Sequence, residues 1–358
     1  MATVSRAKII ERLQQETITI TGLRSAFSSW PFRTNPHLSR VREEVEKMLV
    51  RRFRDHLKLH TLLRGDYGLF GATWWPCAEY KELLVATRLS LWLFMWDDEL
   101  DSDAGSLAQD VDQGQRYRAE TLQFVTNHLG LEGFTSLLHS RNSVIQSFDY
   151  IETALRESCS VEQRKIFLKE FRFFMNKSET EQTLRLRGSV VTMDELWRYR
   201  LGTSAVRVVL AINQYCHSID LPWYVTEDAD FAELWHWTNI NICSVNDLLS
   251  VKKEIAQGSA ESLVPILCAE LGSAQEAADQ VMETVRLAVF EFDLAAKRLL
   301  ARYGRDTSHR LEAFIAGCRY YCTGNLTWSM STGRYGVHQE LGTDRITISL
   351  AVDDDEEE

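Results

Sequence analysis

The chain has 358 residues, 45% of them hydrophobic and 25% charged, an ordinary globular composition with enough apolar material for a large core. The formal net charge is −11, of which residues 353–358 (DDDEEE) supply −6, so the body carries −5. Such a surface repels phosphate backbones and argues against nucleic-acid partners, and any anionic ligand would need local arginines or metal ions.

The opening residues, MATVSRAKIIERLQQE, lack the apolar stretch of a secretory signal. Residues 1–25 read as an N-terminal segment, and 28–37 (SSWPFRTNPH) as an extended entry punctuated by proline. A helical pattern begins over 38–57. Residues 78–96 become apolar nearly all round, the signature of a helix that crosses a core, and 101–105 (DSDAG) break it. Further helical patterns cover 131–157, 161–187, 193–216, 231–257, 274–304 and 309–332. No strand ladder, Asn-Gly hairpin, internal repeat or Gly/Ser/Pro-rich linker separates them. The expected architecture is one all-α domain over 26–340, followed by a flexible acidic tail over 341–358. The apolar run 89–96 is far too short for a bilayer, so no membrane span is expected. Seven cysteines, none in Cys-x-x-Cys, fit a reducing, cytoplasmic setting.

Two constellations carry chemistry. The first is SLWLFMWDDELDSD at 90–103. On a helix Asp97 and Asp101 share a face, with Asp98 beside them. Carboxylates this close repel unless a hard cation bridges them, and Mg²⁺ takes one or two carboxylates together with substrate phosphates. The plain alternative is a solvated acidic helix end. The second is NDLLSVKKE at 246–254. Asn246, Ser250 and Glu254 form one oxygen-bearing stripe spanning about 12 Å of helix axis. Glu254 leans back toward Ser250, whereas Asn246 would have to reach the other way. Lys253 stands beside the stripe, placed to meet an anion. A polar surface helix is the alternative here.

Together these motifs resemble the class I terpene synthases, in particular the fungal and bacterial sesquiterpene cyclases. That family pairs D-D-x-x-D/E with a downstream N-D-x-x-S-x-x-x-E, often with Lys before the Glu, and both patterns are complete here, 149 residues apart from Asp97 to Asn246. Arg200 stands 46 residues before Asn246, where the family carries a diphosphate-contacting Arg, and Arg334-Tyr335 match its terminal Arg-Tyr pair. The resemblance covers about residues 25–340. It departs at Thr203-Ser204-Ala205, where many relatives carry a Gly that helps trigger ionisation, and at residues 261–264 (ESLV), where an Asn before the Leu is common.

The resemblance implies a helical bundle around a central cavity. It also implies a magnesium-dependent cyclase that ionises a linear prenyl diphosphate, farnesyl diphosphate above all, and closes the carbocation to a sesquiterpene. By position Asp97 is the principal ligand on one side of a three-ion Mg²⁺ cluster, with Asp101 a weaker one. Asn246, Ser250 and Glu254 hold an ion opposite. Arg200, Lys253, Arg334 and Tyr335 donate to the diphosphate, and catalysis depends most on Asp97, Arg200, Asn246 and Glu254. Aromatic faces stabilise a cation without quenching it, a role that suits Phe70, Phe94 and Trp328. Trp74, Trp75, Trp92 and Trp96 are assigned to packing. A geranylgeranyl-using diterpene synthase, a chain-elongating prenyltransferase of the same fold and a non-catalytic isoprenoid binder are the alternatives. The oligomeric state is open, with a homodimer as one candidate. His56 and His60 read as a surface helix, and Cys318 and Cys322 as core thiols. No Walker loop or nucleophile elbow is present.

Overall fold

A computed structural model describes residues 5–54, 59–101, 106–131, 136–337 and 343–351. Helices dominate. Ala229–Leu249 runs through the middle, packed on Ala274–Arg302 and Arg305–Ser331. Helix Tyr67–Trp74 lies across Arg305–Ser331 so closely that a Cβ at Gly324 would stand 2.6 Å from the Thr73 carbonyl oxygen. Only glycine allows that approach. Helix Tyr80–Asp101 crosses the core as its all-round apolarity predicts, with Trp92 and Trp96 almost wholly buried. Val161–Arg185 and Met193–Thr203 pack together and contribute Phe174, Glu181, Arg185, Arg200 and Thr203 to the central cavity.

Three of the long helical patterns contain breaks or shorter helices. Over 131–157 the helices are Ser143–Gln146 and Asp149–Ser158. The 193–216 pattern ends a first helix at Thr203 and restarts as Val206–Leu210 and Asn213–Cys216. The 231–257 pattern ends at Leu249 and restarts as Val251–Ala256. Val111–His128 and Leu263–Leu271 are helices that the sequence reading does not single out.

The chain ends carry the two strands of the fold among the described residues. Strands β1 (Thr17–Thr21) and β2 (Arg345–Ser349) pair antiparallel, with Ile18 opposite Ile348 and Ile20 opposite Ile346. All four isoleucines are buried, so this small sheet has one apolar face, and β1 packs on Ala274–Arg302. Gln275 of that helix pairs with the edge of β1: the Thr19 N–H donates to its side-chain oxygen at 2.8 Å, and its amide donates to the Thr19 carbonyl at 2.9 Å. The tail expected from residue 341 is therefore too long. Residues 345–349 belong to the fold, and 352–358 lie outside the described residues. The N-terminal segment likewise contributes a helix, Arg6–Leu13, and a strand.

Candidate active site

A cavity of about 400 Å³ lies between these helices. Its first wall is helix Tyr80–Asp101. The Trp92 indole N–H donates to the Val144 carbonyl at 2.8 Å and that of Trp96 to the Thr121 hydroxyl at 2.9 Å. These anchors set the helix rotation, which turns Ser90, Leu93, Phe94, Asp97 and Asp98 to the cavity. Asp98 accepts both terminal nitrogens of Arg334, at 3.2 and 2.8 Å, in the fork geometry that favours guanidinium–carboxylate pairs. Burial opposes the Arg334 charge, but Tyr67 and Asp98 outweigh it and hold its pKa well above the ordinary arginine value.

The second wall is the end of Ala229–Leu249, which brings Ile242, Cys243 and Asn246 to the same cavity. Arg200 donates to the Asn246 side-chain oxygen at 3.0 Å and to Asp247. The Asn246 amide in turn donates to the Tyr335 hydroxyl at 2.8 Å. Asp247 is fully buried and also accepts the Leu263 N–H at 3.0 Å. Burial pushes its carboxyl up, against the pull of Arg200. Ser250 caps the helix and stands 2.8 Å from the Asn246 carbonyl and 2.6 Å from a Glu254 carboxylate oxygen. The other Glu254 oxygen accepts from Ser262 at 2.6 Å. Ser250 separates Ala229–Leu249 from the short helix Val251–Ala256, and the two ends of the stripe meet different partners: Asn246 meets Arg200 and Tyr335, whereas Glu254 meets Ser250 and Ser262.

Beside Arg200 the backbone turns sharply. Ser204 donates to Asn239 at 2.8 Å, Asn239 donates to the Leu201 carbonyl at 2.7 Å, and Ala205 adopts a left-handed conformation with φ 55°. Thr203 through Val206 line the cavity. The aromatic part is built from Phe70, Phe94, Trp328 and Trp74. Phe70 meets Trp328 edge-on at 5.1 Å and Phe94 at 5.5 Å, and stacks on Trp74 at 4.3 Å. Trp328 is held by its N–H to the Gly65 carbonyl at 2.8 Å. Gln257 and Gly258 line the cavity and are also exposed, so it opens at the Glu254 side.

The donors that the two motifs turn to the cavity are oxygen atoms, together with the Lys253 ammonium. Cys243 is the one thiol among the described lining residues, and burial pushes it up to about 11, so it stays protonated. An oxygen set of this kind suits a hard divalent cation. Among the described residues no three His, Cys, Asp or Glu side chains converge.

The family model for terpene synthase family 2, C-terminal metal binding, matches residues 88–289, from the aspartate helix through both motifs. The chain belongs to this family. It is 30% identical to sesquiterpene cyclase hepA of Aspergillus oryzae, over 93% of its own length and 92% of the relative's. It is 25% identical to (+)-T-muurolol synthase of Roseiflexus castenholzii, a (2E,6E)-farnesyl diphosphate-cyclizing enzyme by name, over 77% and 82% of the two chains. Among solved structures it is similar in fold to germacradien-4-ol synthase from Streptomyces citricolor (TM-score 0.71, 17% identity, 84% and 96% coverage). It is also similar to linalool/nerolidol synthase from Streptomyces clavuligerus in complex with 2-fluorogeranyl diphosphate (TM-score 0.72, 19% identity, 86% and 98% coverage). The protein is thus a class I terpene synthase with the family's metal-binding domain. No described helix is long and apolar enough to cross a membrane.

The terpene synthase cavity gathers nearly all of the residues picked out by sequence: Phe70, Phe94, Asp97, Arg200, Asn246, Ser250, Lys253, Glu254, Trp328, Arg334 and Tyr335. Asp101 ends its helix, and its side chain lies outside the described residues. Trp74 is a correction, since it lines the cavity rather than only packing behind it. Trp75, Trp92 and Trp96 do not line it and are buried. His60 is exposed, His56 lies outside the described residues, and Cys318 and Cys322 are buried. Sequence reasoning gave no role to Asp98 or Asp247, the carboxylates that hold Arg334 and Arg200. Each is the second acidic or polar residue of its motif, and that adjacency was the available signal. Ser262, which holds Glu254, lies in the departing ESLV stretch.

Proposed function

We propose that this terpene synthase is a sesquiterpene cyclase acting on farnesyl diphosphate with three Mg²⁺ ions. The observation that carries the reading is one cavity with two chemistries: cations and oxygen donors at the opening side, aromatic faces and aliphatic side chains elsewhere. Its volume falls in the range that encloses a small organic ligand. Asp97, with Asp101, serves one wall of the metal cluster, and Asn246, Ser250 and Glu254 serve the other. When bound, the metal neutralises the charge of the departing diphosphate. Arg200, Lys253, Arg334 and Tyr335 supply hydrogen bonds to the same anion, those of the arginines and the lysine charge-assisted. The carboxylates and neutral oxygens of the two motifs would hold the metal, and it would supply charge to the bound diphosphate. Phe70, Phe94, Trp74 and Trp328 then face the cation, each face worth up to about 2 kcal/mol when water is excluded.

The test is incubation with geranyl, farnesyl and geranylgeranyl diphosphate plus Mg²⁺, following diphosphate release and the mass of volatile products. Farnesyl diphosphate should give C15 products at the highest rate. A C20 hydrocarbon as the main product, or chain lengthening with added isopentenyl diphosphate, would replace this reading.

A further inference from the structure

The matched family region begins at residue 88, yet Arg6 lines the cavity. Arg6 opens helix Arg6–Leu13. Its backbone N–H donates to the Gly188 carbonyl at 3.3 Å, and Ser5 forms a bridge with Ser189, which moors the segment just past the end of Val161–Arg185. The guanidinium donates to the Arg185 carbonyl and pairs with Glu261 at 3.4 Å. The two side chains are only 23% and 9% exposed, so the pair is screened less than one in open water.

Both ends of this bridge lead to the metal walls. The Arg185 guanidinium donates to the Leu100 carbonyl at 2.8 Å, in the last turn of the aspartate helix. Glu261 accepts from the Ser259 hydroxyl at 3.0 Å and the Ala260 N–H at 2.9 Å, which folds the 259–262 loop. The next residue, Ser262, holds Glu254, and Leu263 holds Asp247.

We propose that Arg6 is a positioning residue of the reaction. Its bridge to Glu261 fixes the 259–262 loop, and through Ser262 the Glu254 carboxylate, relative to the aspartate wall. The inference rests on Glu254 being a metal ligand. A long side chain such as Glu254 keeps its direction only while its own partners are fixed, and loss of a partner that orients a ligand typically costs about 10–100-fold in metal affinity.

The experiment uses the full chain with Arg6→Met, Arg6→Lys, Glu261→Gln and the Arg6→Met/Glu261→Gln double variant. Three properties are read: the Mg²⁺ concentration that half-saturates binding of inorganic diphosphate, hydrogen exchange at the Ala260 and Leu263 amides, and the melting temperature. Arg6→Met should raise the Mg²⁺ requirement about tenfold and speed exchange at both amides, with melting near wild type. Arg6→Lys should recover part of the loss, and the double variant should be no worse than Arg6→Met alone. Wild-type Mg²⁺ dependence with wild-type exchange in Arg6→Met, or additive losses in the double variant, overturns the proposal. If Arg6→Met does not fold, Glu261→Gln decides on the same readouts, because the backbone mooring at Gly188 is untouched. Unchanged Mg²⁺ dependence in Glu254→Gln would refute the ligand reading alone, while the exchange data still judge the bridge.

Discussion

The charged and aromatic parts of the cavity are built differently. At the charged part, the named groups hold one another through directed contacts: Arg334 to Asp98, Arg200 to Asp247 and Asn246, Asn246 to Tyr335, Ser250 and Ser262 to Glu254. In the aromatic part, rings meet by faces and edges at 4.3 to 5.5 Å, contacts with weak directional demands. Departure of diphosphate depends on a few atoms in fixed places. Cyclisation depends on the shape of a wall. Changes in the first region should therefore stop the reaction, and changes in the second should redirect it.

The largest expected effects come from the metal. Excess chelator should abolish diphosphate release, and Mg²⁺ should restore it, since Asp97, Asn246, Ser250 and Glu254 are oxygen donors that a hard divalent cation would join to the anion. Asp97→Ala and Asn246→Ala should each lower release about 100–1000-fold, equal to about 2.7–4 kcal/mol of barrier, in proteins that melt near wild type. Steady-state release assays with thermal melts check this. Two folded variants with near-normal rates would remove the metal assignment from these walls.

The next effect separates the arginine from its holder. Asp98→Asn and Arg334→Ala should each slow diphosphate release about 10–100-fold. Because they share one contact, the double variant should fall well short of the product of the two losses. A double-mutant cycle on release rates measures this. Strict additivity would mean that Asp98 acts on something other than Arg334.

That pairing also shows how far the sequence is informative. Helical patterns over long amphipathic or all-apolar runs were readable because burial imposes their periodicity, and the resemblance to the class I terpene synthases implied that Asp97, Arg200, Asn246 and Arg334 share one cavity. Which member of Asp97-Asp98 turns to an arginine 236 residues away was not readable. That depends on a helix rotation set by remote anchors, the indoles of Trp92 and Trp96. The TITIT and RITIS runs do alternate with period two, but each is five residues long and finds its partner only when the chain ends meet. The breaks at Ser250 and Ser204 lie inside continuous helical patterns, where tertiary contacts override propensity. Arg6 carries no motif at all, and only the folded segment brings it to the cavity.

The aromatic part gives a smaller effect on rate and a larger one on product. Phe94→Ala and Trp328→Ala remove cation–π faces and open space. Diphosphate release should stay within about tenfold of wild type, a barrier change of at most about 1.4 kcal/mol. Acyclic or less cyclised products and alcohols should increase. Trp328→Ala should also destabilise the fold by about 3–5 kcal/mol, the usual cost of truncating a buried tryptophan, so product profiles belong below its melting transition. Unchanged profiles in both folded variants would return the two rings to ordinary packing.

The smallest expected effect lies where the two regions meet, at Ala205. Its φ of 55° is left-handed, a conformation that costs an L-residue with a Cβ about 1–2 kcal/mol. The departure from the family pattern at Thr203-Ser204-Ala205 thus coincides with strained backbone. Ala205→Gly removes the Cβ clash but gives the unfolded chain more freedom, which returns about 0.4–1 kcal/mol. The net gain should lie between zero and about 1.6 kcal/mol, a rise of a few degrees at most in melting temperature. The turn itself is held by Ser204, Asn239 and the Leu201 carbonyl, none of which the substitution touches. Diphosphate release should therefore change less than threefold. Ala205→Val is the opposing arm: a β-branched residue strains the same φ further and intrudes on the cavity that Ala205 lines. It should lower the melting temperature and shift the products toward less cyclised species. Melting curves and product profiles on both variants decide the matter. A clear loss of stability in Ala205→Gly would show that the methyl group contributes packing worth more than the backbone strain it imposes.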